Sequence, residues 1–116
     1  MSDQEEIASL EEAMDRNGWS GGVVRHLGVW DTLAREVNAY TAGIDDYTND
    51  LCSRDYLAAV MQRASDSLRQ SLAGQVADAD TRFEAATVDD VGSQIGRHFR
   101  IDDEDGWWWR RRPSSG

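Results

Sequence analysis

The chain has 116 residues, with 22 acidic side chains against 12 basic ones and a formal net charge of −10. That length suits one domain and excludes an α/β-hydrolase, a kinase or a pair of dinucleotide-binding halves. A hydrophobic content of 40 % excludes a compositionally disordered chain.

Helical periodicity runs through almost all of the sequence. Ser2 and Glu5 have capping-box spacing, and Ile7, Leu10 and Met14 then recur every three to four residues. Asn17-Gly18 ends this first helix. Ser20 is placed to cap a second, whose apolar stripe is Val23, Leu27, Trp30, Leu33, Val37, Tyr40 and Ile44, with Gly43 as its expected end. Gly28 interrupts that helix at about 1 kcal/mol relative to alanine, so either the helix breaks there or a neighbouring backbone packs close. The turn formers of Asp45-Asp46-Tyr47-Thr48-Asn49-Asp50-Leu51 read as a connection with Tyr47 and Leu51 pointing inward. Ser53 is then the N-cap of a third helix striped by Leu57, Val60/Met61, Ala64, Leu68 and Leu72, unless Ser65 to Ser67 start a new one.

After Gly74 the pattern continues through Val76, Ala79/Asp80 and Phe83. Thr87 and Asp90 have capping-box spacing before Val88, Val91, Ile95 and Phe99. The only proline, Pro113, lies near the end, and no alternating β-branched run argues for a sheet. The expected fold is therefore all-α: a single small bundle of four or five helices over residues 1–101, with an irregular Trp/Arg-rich C-terminal tail over 102–116 packed partly on it.

Charge is uneven along the chain. Residues 1–96 carry 7 arginines and 18 acids, and residues 97–116 carry 5 and 4. A strongly negative body repels nucleic acid and anionic lipid, so neither is expected as a partner. No apolar run approaches the roughly 20 residues of a membrane span, and the acidic start lacks the basic and apolar segments of a secretory signal. A cytoplasmic location follows as the expectation.

Cys52 is the single cysteine, which excludes an intramolecular disulfide and a cysteine zinc motif; it reads as a small buried apolar group. Gly18-Trp19-Ser20-Gly21-Gly22 matches G-x-S-x-G, but a helical pattern precedes it where a hydrolase places a strand. His26 and His98 have nothing to position either as its base, and Ser20 reads as a cap. Asp102-Asp103-Glu104-Asp105-Gly106 resembles part of a calcium loop, but the frame puts Ile101 and Arg112 at ligand positions. Neither a metal nor a cofactor is implied. Asp45, Asp46, Asp50 and Asp55 cluster within eleven residues, as paired carboxylates for Mg²⁺ or acid–base work do; turn formation and capping account for the same residues.

Trp107-Trp108-Trp109-Arg110-Arg111-Arg112 is the most unusual stretch. Three adjacent indoles cannot share one face. The tail either docks on its own bundle, with its arginines on the acidic body, or forms a protein-binding hot spot; these two are compatible. Stacking on nucleic acid or insertion at a membrane surface is the third reading, opposed by the DDED run before it.

The segments Asp45-Asp46-Tyr47-Thr48-Asn49-Asp50-Leu51 with Arg54-Asp55, then Asp80-Thr81-Arg82-Phe83-Glu84-Ala85-Ala86-Thr87, then the Trp-Arg terminus resemble those of small uncharacterised helical proteins of actinomycetes. The resemblance spans roughly residues 40–112 and carries no catalytic residue across. It implies that Tyr47, Asn49, Asp50, Arg54, Asp55, Arg82, Phe83 and Trp108 or Trp109 act as one network, with Arg82 reaching Asp50 or Asp55 and the aromatics keeping the pair dry.

The expected function is that of a non-enzymatic acidic binding protein. An immunity protein or antitoxin-like inhibitor docking on a basic protein surface fits, because carboxylates on a rigid scaffold imitate phosphates and accelerate association. Its partner contacts would be Asp45, Asp46, Asp50, Asp55, Trp107, Trp108, Trp109, Arg110 and Arg111, supported by a structural network of Tyr47, Asn49, Arg54, Arg82 and Phe83. The alternatives are a small divalent-metal enzyme using Asp45, Asp46 and Asp50, and an assembly protein that forms a homodimer through the Val23–Ile44 stripe.

Overall fold

The computed structural model describes residues 2–37, 44–102 and 104–114, and for Ile44 and Asp45 the backbone alone. Expectations that fall on Tyr40, Gly43, Asp103 and the side chains of Ile44 and Asp45 lie outside the described residues. Four long helices make up the bulk of the fold: α1 (Asp3–Arg16), α2 (Val23–Glu36), α3 (Ile44–Arg63) and α4 (Asp66–Ala86). A short strand β1 (Thr87–Asp89), a single turn α5 (Ser93–Gly96), a 3-10 turn (Trp107–Arg110) and a strand β2 (Arg111–Pro113) complete it. It is a small helical bundle, as the periodicity implies. α2 is its hub, packed on both α3 and α4.

The start of α1 is built as expected. Ser2 caps it, accepting from Glu5 N at 3.2 Å, and its hydroxyl donates to Glu5 Oε1 at 3.3 Å. The helix ends at Asn17, and Gly18 takes φ +85°, the left-handed conformation that closes a helix. Ser20 does not cap α2. The N-cap is Gly22 at φ +84°, and the orphan Val23 N–H donates instead to Glu11 Oε2 of α1 at 3.1 Å. A carboxylate at a helix N-terminus suits the positive end of the macrodipole. A Cβ at Gly22 would strike that same carboxylate, so both φ and space require glycine.

The stripe of α2 faces the protein's own core. Val23, Trp30, Leu33 and Val37 are buried and Leu27 packs against them; that face is therefore closed to the homodimer contact expected of it. Gly28 neither breaks α2 nor meets a neighbouring backbone, for a Cβ built there touches nothing within 4 Å.

α3 starts nine residues before Ser53, so the supposed connection at 45–51 is helix. Asp, Thr and Asn favour turns because they satisfy orphan N–H groups, and the first turns of a helix offer the same orphans. Tyr47 and Leu51 do point inward. Ser53 is buried in mid-helix, not a cap. The α3–α4 break falls at Ser65, whose Oγ accepts from Leu68 N at 3.4 Å. Glu6 of α1 accepts from Ser65 N at 2.6 Å and Ser65 Oγ at 2.7 Å, and these bonds hold its carboxyl below the ordinary value. α4 runs unbroken through Gly74, burying Leu68, Leu72, Val76, Ala79 and Phe83.

The helix expected after Thr87 is replaced by a two-stranded antiparallel ladder. β1 pairs with β2 in the register Thr87↔Pro113, Val88↔Arg112, Asp89↔Arg111. Thr87 ends α4 by returning its hydroxyl to Phe83 O at 2.7 Å. Asp90 then accepts from Gly92 N and Gln94 N, capping α5. Only Ile95 of the expected inward set is buried; Val88, Val91 and Phe99 are exposed. Val91 is the one non-glycine residue with positive φ among those described, at +52°, a conformation β-branched residues rarely take. Replacing Val91 by Asn should raise stability by about 1 kcal/mol, roughly 3–6 °C in Tm. Gly92→Ala, at φ +81° with its Cβ 2.7 Å from Ile101 Cδ1, should lower it; thermal denaturation followed by circular dichroism checks both.

Candidate functional site

The tail is not irregular. A 3-10 turn rotates about 120° per residue, so Trp107, Trp108 and Trp109 fan out, and helices α3 and α4 receive them. Trp108 is buried and the other two are half-buried. Trp107 tilts onto Phe83 with ring centroids 6.0 Å apart, and Phe83 in turn packs on Trp30 at 4.7 Å.

A buried indole needs an acceptor for its N–H. Asp55 of α3 supplies it twice, accepting Trp108 Nε1 at 2.8 Å and Trp109 Nε1 at 2.9 and 3.1 Å on its two oxygens. Burial pushes the Asp55 carboxyl above its ordinary value, against the pull of the two indoles; Asp105 adds to the push and Arg54 opposes it.

One residue earlier, Arg54 points into the bundle. Its Nε and Nη2 donate to Asp80 Oδ1 and Oδ2 at 2.9 and 3.1 Å, a two-point pair between α3 and α4. Trp30 Nε1 of α2 donates to the same Asp80 Oδ1 at 2.9 Å. The guanidinium carbon lies 4.2 Å from the centre of the Trp108 ring, a cation–π contact. Nη1 of Arg54 is buried with no hydrogen-bond partner among the described residues. These contacts link Arg54, Asp55, Phe83, Trp108 and Trp109, and Tyr47 donates its hydroxyl to Arg111 O of the tail at 3.3 Å.

The pairing inside the network differs from the expected one. The arginine that crosses between helices is Arg54 and its acid is Asp80. Arg82 lies on the surface, donating to Asp31 Oδ1 at 3.3 Å beside Arg35. A helix period explains this: Phe83 faces the core, so its neighbour Arg82 cannot, while Asp80, three residues before Phe83, shares its side. Two of the tail arginines also depart from expectation. Arg110 donates to the carbonyls of Asp105 and Asp102, and Arg111 to Thr87 Oγ1 and the carbonyls of Glu84 and Thr87. They hold backbone together and do not cover the acidic body.

The aspartate cluster separates along α3. Asp46 is exposed, Asp50 is half-buried one turn later, and Asp55 is turned to the tail. Nine helical residues put Asp55 on the side opposite Asp46. Beside the tail, Thr48, Asn49, Cys52, Phe99 and Trp109 line a cleft of about 370 Å³. Cys52 is exposed at that cleft, contrary to the buried position expected of it. Partial desolvation against the cleft wall and the charge of Asp55 push its thiol up, away from a reactive thiolate. His26 Nε2 meets Ser20 O at 2.8 Å and its Nδ1 meets the buried Ser53 hydroxyl at 2.9 Å, with the ring stacked on Tyr56. It staples the 17–22 loop to α3. Asp80, Trp30, Ser53 and Phe99 belong to the site without standing out in the sequence; the number of indole N–H groups needing buried acceptors is the available signal for Asp80.

No family profile, curated protein or solved structure matches the chain.

Asp55→Ala should cost about 2–4 kcal/mol, because a buried indole N–H is left without an acceptor, and should red-shift tryptophan emission in a urea titration. Asp55 also imposes a pH slope. A carboxyl whose folded value is raised binds its proton more readily when folded, so it favours the folded state at low pH and loses that contribution as pH rises through the raised value. The stability of wild type relative to Asp55→Asn should therefore be greatest at acid pH and fall on the way to neutrality. Arg54→Met should cost about 3–5 kcal/mol by stranding Asp80, and Arg54→Lys should recover only part, since an ammonium cannot make the two-point contact.

Proposed function

We propose that the protein is a non-enzymatic acidic binding protein, of the immunity-protein or antitoxin-like class, that docks on a basic protein surface such as the cleft of a nuclease in the cytoplasm. The observation that carries this reading is the state of α1. Two of its acids, Glu6 and Glu11, clamp it to Ser65 and Val23 of the bundle, while Asp3, Glu5, Glu12 and Asp15 remain exposed. The result is a set of exposed carboxylates on a helix that does not need ordering when a partner arrives. Preorganised charge of this kind raises association rates and imposes specificity.

A second feature supports it. Arg110 and Arg111 bond to backbone carbonyls and Arg54 to interior Asp80, so these three arginines do not neutralise the carboxylates of α1. Asp46, exposed one turn before Asn49 of the tail cleft, extends the charge toward half-exposed Phe99 and Trp109, the aromatic type that anchors interfaces.

The test is stopped-flow association with a basic protein captured by the immobilised chain. The rate constant should fall at least about tenfold between roughly 50 and 300 mM NaCl. The double charge reversal Glu12→Arg, Asp15→Arg should slow association by about tenfold at low salt with helicity unchanged. A rate indifferent to salt would contradict the mechanism.

A further inference from the structure

We propose that α2 is the contact helix of a homodimer: two copies meet across a twofold axis passing between Val24 and Gly28, and Val24 of each copy enters the groove beside Gly28 of the other. This inference does not rest on the basic-partner reading, which uses α1.

The core-facing side of α2 is closed, and the opposite side has an unusual relief. Val24 is 83 % exposed. One turn later, on the same face, Gly28 opens into a groove of about 440 Å³ lined by Arg25, Gly28, Val29, Thr32 and Asp50. A contact between identical copies needs a surface that fits its own image. Here a projecting side chain and a recess to receive it sit four residues apart on one helix, about 6 Å along the axis. Two antiparallel α2 helices satisfy both contacts at once.

Glycine in mid-helix is unfavourable unless a close approach requires it. A Cβ at Gly28 meets nothing in the monomer, so its own fold gives no reason for glycine there. Gly74 of α4 is equally open, but Gln70 and Asp78 flank it one turn away, and it has no apolar projection to pair with.

Charge identifies the occupant. The body is strongly negative, and two copies approaching through α1 would bring Asp3, Glu5, Glu12 and Asp15 against themselves. α2 alone of the four long helices is balanced, with Arg25 and Arg35 against Asp31 and Glu36. The groove rim likewise carries both signs, Arg25 and Asp50. A second copy is the partner whose approach to this face costs no local repulsion, whereas the basic partner of α1 gains nothing from a neutral helix.

Sedimentation velocity of the full chain from about 1 to about 200 μM tests this by mass action. The weight-average mass should rise from 13.0 kDa toward twice that value, and it should rise at least as far at about 500 mM as at about 150 mM NaCl, since salt screens only the repulsion between bodies. Gly28→Leu fills the recess and Val24→Ser removes the projection. Each should weaken association at least about tenfold while circular dichroism shows the monomer fold retained, and for Gly28→Leu the helix strengthened. An equimolar mixture of the two variants should associate more strongly than either alone. The intact Val24 of one variant then meets the open recess of the other, and the truncated side chain faces the filled recess. A wild type that stays at 13.0 kDa throughout, variants that associate like wild type, or a mixture without gain would each overturn the proposal. None of these outcomes depends on the salt response of α1 binding, so the two readings fail separately.

Discussion

A buried arginine that has to be satisfied on several sides governs how the bundle assembles. Arg54, with a side chain only 9 % exposed, is taken out of water by the packing of α3 against α2 and α4. An isolated charge there would be prohibitive. Asp80 meets it with both oxygens, Trp30 donates to the same carboxylate, and Trp108 lays its ring over the guanidinium. The four groups come from α3, α4, α2 and the tail, so correct pairing of the charges requires correct assembly of every major element except α1. A buried pair of this kind is weak as a source of net stability, but it discriminates sharply against alternative packings in which either partner is stranded.

Asp55 extends the same logic to the surface. By accepting two indole N–H groups it converts a tryptophan-rich tail, which in isolation would be an aggregation hazard, into a clasp across α3 and β1. The clasp is completed by backbone: β2 pairs with β1, and Arg110 and Arg111 tie off carbonyls at the ends of α4 and the 102–105 turn. The interior acids thus serve as acceptors for indoles and arginine, while α1 carries acids that either clamp it to the bundle or face solvent. One acid-rich composition is divided into two roles by position alone. That division makes the outer charge rigid, and a rigid charged surface is better suited to recognition than a flexible one.

Much of the bundle is legible from residue spacing. The 3.6-residue recurrence of Val23, Trp30, Leu33 and Val37, and of Leu68, Leu72, Val76, Ala79 and Phe83, marks the buried faces because burial and helical period are a local matter of which side chains align. Ser2, Asn17-Gly18 and Ser65 mark ends for the same reason: their bonds are to residues within four positions. Expectations built on an equally local signal with two physical solutions go astray. Asp, Asn and Thr at 45–50 suit a turn or a helix start. Thr87 and Asp90 suit a capping box or, as here, a helix end at Thr87 followed three residues later by Asp90, an acceptor for the first N–H groups of α5.

The order of residues alone, then, settles the helical class of the fold, the inward faces of α2 and α4 and the negative balance of the body. It took three-dimensional packing to decide that Arg54 and not Arg82 crosses to the neighbouring helix, that its acid is Asp80, that Asp55 takes both indoles, and that the tail adds a strand to residues expected to be helical. Those choices join positions far apart in the chain, from α3 to α4 and from α3 to the tail. Which acid meets which cation or indole at such range is set by the angle and register of packed helices and by the need to leave no buried charge unpaired. No local pattern encodes that.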